Sequence, residues 1–506
     1  MIYRPGETER LWDSWLFAWE GTAHLFYLAS HGGEGALGHC TSTDLVHWER
    51  CEDVVLRHWP LTGMVIRHEG RFLMPLGETV DKMQTTTFYV SDDLFTWRRL
   101  PPDEYRLRPQ PPHYVTEPDD WRPTAWWRDP FVFHHDEDGQ YHALICAVRP
   151  ESGPDDTGAV LAHVRTTDFR RWEYLPPLEG PTGRFYHSEV PDLFVHDGRY
   201  YVLFSTGSLF GLRINTPSRR ETIGTYYMVA DRLEGPYNMP DECLLIGAGH
   251  GRMASYVGRT LEFGGERLLY HHVRDDFGGQ SWSGTWGAPK RLPVGENGEL
   301  TARYWPGLEA LESGELPVRT DAPPPGWERS ATGWRGRTEA VGASCPVVAD
   351  APDVHVRADV TCAGGGRCGL ALRASDGAGV LVSLDFDLGQ AEIGIARYNQ
   401  VAGWGACRVA FVPGSAEPDD RTVIDSCRWP AEAGRTYALR CLARAEHFEV
   451  YLDDRWLFTT VIPEAPQSGD VCLYVERGEA RFAGFRAAAL SALEPGRCVG
   501  EHRPQE

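Results

Sequence analysis

Three acidic residues stand at similar points of a recurring pattern. Asp13 opens Asp13-Ser14-Trp15-Leu16-Phe17, Asp129 opens Asp129-Pro130-Phe131-Val132-Phe133, and Glu189 opens Glu189-Val190-Pro191-Asp192-Leu193-Phe194. Each heads a short hydrophobic segment that runs to a turn glycine, Gly21, Gly139 or Gly198, which lies eight, ten or nine residues further on. Equivalent strands related by symmetry converge on one axis, so three such segments aim three carboxylates at the same end of one channel. Crowded carboxylates raise one another's pKa, and a fold tolerates them mainly where they work. The chemistry that uses them is glycosidic bond cleavage: one carboxylate attacks or activates water, and a protonated partner assists the leaving oxygen. Trp15, Trp126 and Trp127 lie close by in sequence and offer aromatic faces for the apolar side of a sugar. The crowding is expected to hold Glu189 above the usual carboxylate range while Asp13 stays ionised. Acidic residues that merely cap turns are the structural alternative.

The elements that position these acids repeat. A glycine turn followed by an alternating aromatic strand occurs five times, at Gly21, Gly70, Gly139, Gly198 and Gly265, at intervals of 49, 69, 59 and 67 residues. A second element follows three of the copies: Thr43-Asp44-Leu45-Val46-His47-Trp48, Asp92-Asp93-Leu94-Phe95-Thr96-Trp97 and Thr167-Asp168-Phe169-Arg170-Arg171-Trp172. It reads as an Asx turn that sets an indole between neighbouring sheets. Repeats of this length, each worth about four short strands, are the signature of propeller blades. The fold class expected is all-β: a five-bladed β-propeller over 1–315 followed by a C-terminal β-sandwich over 331–492. Between them the Pro-rich stretch 316–330 reads as a linker, and 493–506 as a tail.

Composition narrows the function classes. The 506 residues carry 50 Lys plus Arg against 72 Asp plus Glu, a formal charge of −22. That surplus repels phosphate backbones and anionic lipid, so neither nucleic acid nor membrane is an expected partner. No apolar run approaches the ~18 residues of a membrane span, and Met1–Glu7 lacks the apolar stretch of a signal peptide. The 12 cysteines are scattered, with no CxxC pair, which points to free thiols and a cytoplasmic setting.

The acidic motifs resemble those of a furanosidase clan, glycoside hydrolase families 32 and 68, with family 43 a more distant relative. Arg128-Asp129-Pro130 is similar to the RDP motif of the two families, and Glu189-Val190-Pro191-Asp192 to the Glu-Cys-Pro-Asp motif of family 32. Trp12-Asp13-Ser14-Trp15 resembles the nucleophile motif of family 68 levansucrases. Leu61-Thr62-Gly63-Met64 is similar to the Phe-Ser/Thr-Gly-Ser segment, and Gly369-Leu370-Ala371-Leu372-Arg373-Ala374 to the C-terminal module. The sequence departs from the pattern at Leu28 and Leu37, where the family carries Gln and Trp. The resemblance implies a retaining hydrolase of β-fructofuranosides, with transfer to a sugar acceptor as an accompanying activity. Asp13 would be the nucleophile, Glu189 the general acid/base and Asp129 the stabiliser of the transition state. Trp15, Thr62, Trp127, Arg128, His187, Asp192 and Arg252 would bind substrate. An inverting arabinofuranosidase or xylosidase of family 43 type, and a carbohydrate-binding propeller without catalysis, stay open as alternatives.

The partner expected is therefore a small carbohydrate, with no cofactor and no metal; the oligomeric state stays open. His134-His135-Asp136-Glu137-Asp138 reads as a solvated acidic turn rather than a metal site, and His271-His272 places successive rings on opposite faces of a strand.

Overall fold

The computed structural model describes residues 2–5, 11–31, 34–56, 58–118, 124–153, 158–181, 185, 187–207, 214–249, 254–274, 284–339, 342–375, 378–397, 408–409 and 421–493. Within them the chain is built almost wholly of antiparallel strands. Each repeated glycine does what its turn requires. Gly21, Gly70, Gly139, Gly198 and Gly265 all sit at positive φ in the turn that leads into a long strand of a sheet, a conformation that costs a residue without Cβ nothing.

Four successive sheets are meanders. Ser14–Trp19, Thr22–His31, Glu34–Ser42 and Glu49–Arg50 make the first, with Val54–Val55 beside its third strand; Pro60–Gly63, Arg71–Val80, Met83–Ser91 and Arg98–Arg99 make the second, with Ile66–His68 and Arg106–Leu107 on its two long strands. Trp127–His135, Gln140–Val148, Ala159–Thr166 and Glu173–Leu175 make the third; Glu189–His196, Arg199–Gly207, Ile223–Ala230 and Leu244–Ala248 the fourth. A fifth begins with Ser255–Phe263 and Glu266–Arg274. The first strand of each sheet neighbours the first strand of the next, and Ser255–Phe263 returns to Ser14–Trp19. The N-terminal segment pairs with the fifth sheet: the Ile2 and Trp286 amides donate to the Trp286 and Tyr3 carbonyls at 2.9 and 2.8 Å. This order of neighbours is the one that blades of a propeller have.

The Asp-Trp element is a local device used three times. Asp44 Oδ1 accepts the amides of Val46 and His47 at 2.8 Å each, and Asp93 and Asp168 cap their turns in the same way. A hydroxyl two residues earlier (Ser42, Ser91 or Thr166) completes each turn. Trp48 and Trp97 each donate their indole N–H to the carbonyl three residues back.

Two further sheets face each other over a Val- and Leu-rich core that includes Val356, Leu370, Val382, Leu439, Val450 and Leu473. One of them is continuous with the fifth sheet through the pairing of Arg303 with Arg455. The stretch 316–330 is more than a linker. Trp327–Ser330 is a strand paired with Gly333–Thr338, because the Trp327 ring packs on Phe482. Glu312–Glu315, inside the boundary expected for the first domain, pairs with Gly478–Leu490 of the sandwich. The described cysteines carry no disulfide.

Candidate active site

A one-residue bulge recurs at the head of three first strands. The register slips between Arg128 and Phe131, between Glu189 and Asp192, and between Tyr256 and Arg259. The residue inside each bulge, Asp129, Val190 or Val257, takes a left-handed backbone with φ of 59°, 48° and 54°. A β-branched residue there is strained, by about 1–3 kcal/mol. Val190 and Val257 are held in it by burial against each other's sheets with Ile223 and Tyr256.

The bulges fix which residues are equivalent. Arg128, Glu189 and Tyr256 pair with Cys146, Ser205 and His272, each six residues into its second strand. Asp13, whose carbonyl accepts the Leu28 amide at 2.9 Å, holds the same place in the first sheet. Asp13, Arg128, Glu189 and Tyr256 thus share one level, and Asp129 is the bulge residue next to it. The expectation of three acids in one phase needs this correction. The third sheet has a four-residue turn at 136–139 where the first and fourth have two, which masked an offset of one residue.

The side chains meet. Arg128 Nη2 donates to Glu189 Oε1 at 2.7 Å, and its Nε lies 3.4 Å from Asp129 Oδ2. The Tyr256 hydroxyl donates to Glu189 Oε2 at 2.7 Å, and His187 Nε2 lies 3.1 Å from the same oxygen. The Val190 amide donates to Asp129 Oδ2 at 3.2 Å, and Thr62 donates its hydroxyl to Asp13. Arg128 stacks over Trp126, whose edge meets His187. Trp12 lies against His272 with ring centroids 4.7 Å apart.

One guanidinium serves three carboxylates, and the field is uneven. Burial, followed by the charges of Asp129 and Glu189, pushes Asp13 up to about 8, against which Thr62 and Arg128 act weakly. Burial likewise takes Asp129 to about 6, with Arg128 opposing. Burial also disfavours ionised Glu189, but His187, Arg128 and the hydroxyl of Tyr256 outweigh it and hold Glu189 far below the usual carboxylate range. The order is the reverse of the expected one. Glu189 collects the cation and the hydrogen-bond donors, so Asp13 is the acid of the cluster pushed furthest up.

Of the residues expected at the site, Asp13, Thr62, Arg128, Asp129, His187 and Glu189 are brought together. Trp15 and Trp127 are not available to a ligand. Both are fully buried, Trp15 against Phe26 and Trp127 between Tyr114 and Tyr174, because alternate residues of a strand point to opposite faces. The partly exposed indoles beside the carboxylates are Trp12 and Trp126. Asp192 turns away as well: it accepts the Thr260 amide and faces Arg259 in the fifth sheet. Arg252 lies outside the described residues. Tyr256 went unrecognised although a signal existed, since it precedes Gly265 by nine residues, as Glu189 precedes Gly198. His272 carried none; it is fully buried, and neither ring nitrogen has a hydrogen-bond partner among the described residues. Among the described residues of this cluster, no three His, Cys, Asp or Glu side chains bring their ligand atoms close enough together to hold a metal ion.

No protein-family model matches the sequence, and neither does any curated protein. Solved structures do match. The sucrose-6-phosphate hydrolase of Lactobacillus gasseri is 14% identical over 96% of this chain and 93% of its own, with a TM-score of 0.66. The exo-inulinase of Aspergillus awamori is 16% identical over 97% and 98%, at 0.65. The GH32 beta-fructofuranosidase BmSUC1 of Bombyx mori is 16% identical over 98% and 95%, at 0.62. The chain shares its fold with these proteins along nearly its whole length.

Proposed function

We propose that the protein is a retaining glycoside hydrolase that cleaves β-fructofuranosides such as sucrose and inulin- or levan-type oligosaccharides. Its five sheets would close into a five-bladed propeller, fastened by the pairing of residues 2–3 with the fifth sheet. The observation that carries this reading is the convergence of Asp13, Asp129 and Glu189, from three sheets, on one cluster with Arg128 and Tyr256. The shared fold supports it, and so does the complex of a BmSUC1 mutant with sucrose.

In this reading Asp13 attacks the anomeric carbon while Glu189 protonates the leaving oxygen; water then releases the glycosyl-enzyme with Glu189 as base. Asp129, oriented by the Val190 amide and by Arg128, accepts sugar hydroxyls. The reaction needs Asp13 ionised and Glu189 protonated. Substrate hydroxyls that draw Arg128 and Tyr256 away from Glu189 raise its proton affinity, and the proton held by Asp13 passes to it. The productive form therefore keeps the same single proton and differs only in where that proton sits.

The test is a panel of sucrose, inulin, levan and aryl arabinofuranosides, with the anomer of the first product read by NMR. Fructose released with retention supports the proposal. Arabinose or xylose released with inversion would assign the family 43 type instead, and binding without turnover a non-catalytic propeller.

A further inference from the structure

The strand that carries Arg128 and Asp129 at one end carries a second group of titratable side chains at the other. His135 closes Trp127–His135, Asp138 lies in the turn, and His142 is the third residue of Gln140–Val148. The sequence alone showed only the run through Asp138. Strand pairing adds His142, and one ligand atom from each of the three residues lies within 4.8 Å of the others. His142 Nε2 is 2.9 Å from Asp138 Oδ2, and His135 Nδ1 is 3.4 Å from Asp138 Oδ1. Ligands about 2.0–2.1 Å from a tetrahedral zinc ion stand roughly 3.3–3.4 Å apart, so small side-chain movements suffice to seat one.

Both imidazoles are fixed from behind. His135 Nε2 bonds the Tyr200 hydroxyl of the fourth sheet at 3.1 Å, and His142 Nδ1 bonds His163 Nε2 at 2.7 Å. Outer-shell bonds of this kind set which nitrogen of a metal-binding histidine faces the ion. The nitrogen of His135 left facing Asp138 is buried and has no hydrogen-bond partner among the described residues. Arg165 Nη1 donates to Asp138 Oδ2 at 3.4 Å and its Nε to Glu173 Oε2 at 2.8 Å, which leaves Asp138 Oδ1 as the oxygen that Arg165 does not contact.

We propose that His135, Asp138 and His142 form a site for one divalent transition-metal ion of the zinc type, which cross-links the turn of the third sheet to its second strand. Two imidazoles and one carboxylate suit zinc or cobalt rather than calcium or magnesium. The partial exposure of His135 and Asp138 leaves the remaining coordination position to solvent.

The experiment titrates the full chain with zinc chloride against a chromogenic chelator, and with cobalt chloride by visible spectroscopy. One ion per chain is expected, with d–d bands of low-symmetry cobalt, no thiolate charge-transfer band, and a thermal midpoint raised by zinc but not by calcium chloride. His135→Gln and Asp138→Asn, each shown to be folded by circular dichroism, should weaken zinc binding at least ~10-fold. Failure to bind zinc, a thiolate band, or unchanged affinity in both variants would overturn the proposal.

Discussion

Buried charges occur in two regions of this molecule, and they are balanced differently. Where the fifth and fourth sheets meet the sandwich, two buried cations each have an anion of their own. Lys290 Nζ lies 3.1 Å from Glu449, and Arg219 Nη1 lies 2.7 Å from Asp425. At the inner ends of the first strands, three carboxylates share Arg128. Matched pairs hold one protonation state and tie two layers together. A surplus of acids has no such state, so its protons become mobile near neutral pH. The difference separates a structural use of buried charge from a chemical one.

The largest effect expected from breaking this contrast is at the acids. Asp13→Asn or Glu189→Gln should lower kcat by at least ~100-fold on the substrate the panel identifies, with the fold retained by circular dichroism. Comparable turnover in either variant would remove that residue from the reaction. At the interface the loss should be of stability instead. Lys290→Met leaves Glu449 buried without its cation, and chemical denaturation should show a loss of about 3–5 kcal/mol. The pH limits of activity in that variant should not move.

Two smaller effects sharpen the comparison. With its proton on Asp13, the cluster should lose activity above a limit set by the group titrating at about 8. Thr62→Val removes a hydrogen bond that favours ionised Asp13, so the alkaline limit of the kcat/KM profile should move upward, by less than about one pH unit. Stability should respond as well. The folded protein keeps a proton on Asp13 that the unfolded chain releases, so between the ordinary value of 3.8 and about 8 this residue makes stability fall as pH rises. Asp13→Asn abolishes that dependence, and its advantage in Tm over the parent should grow between about pH 5 and about pH 8.

Much of the architecture was legible because it is built from local chemistry. The turn glycines and the capping aspartates Asp44, Asp93 and Asp168 act over a few residues, so their spacing alone marked where strands begin and end. The limits of the linker were not legible. Trp327 joins the sandwich only because Phe482, far along the chain, offers it a partner.

By itself, then, the sequence determined the repeat, the strand texture of both halves, and the presence of Asp13, Arg128, Asp129 and Glu189 near the heads of their strands. These follow from turn preferences and alternation, which depend on neighbours in the chain. Tertiary structure alone decided that Asp192 turns away from the acids, that Trp126 and not Trp127 borders them, and that Asp13 rather than Glu189 is the acid pushed upward. A bulge shifts the register by one residue and turns a side chain to the other face. Protonation follows the summed field of groups brought from five sheets, which no local pattern encodes.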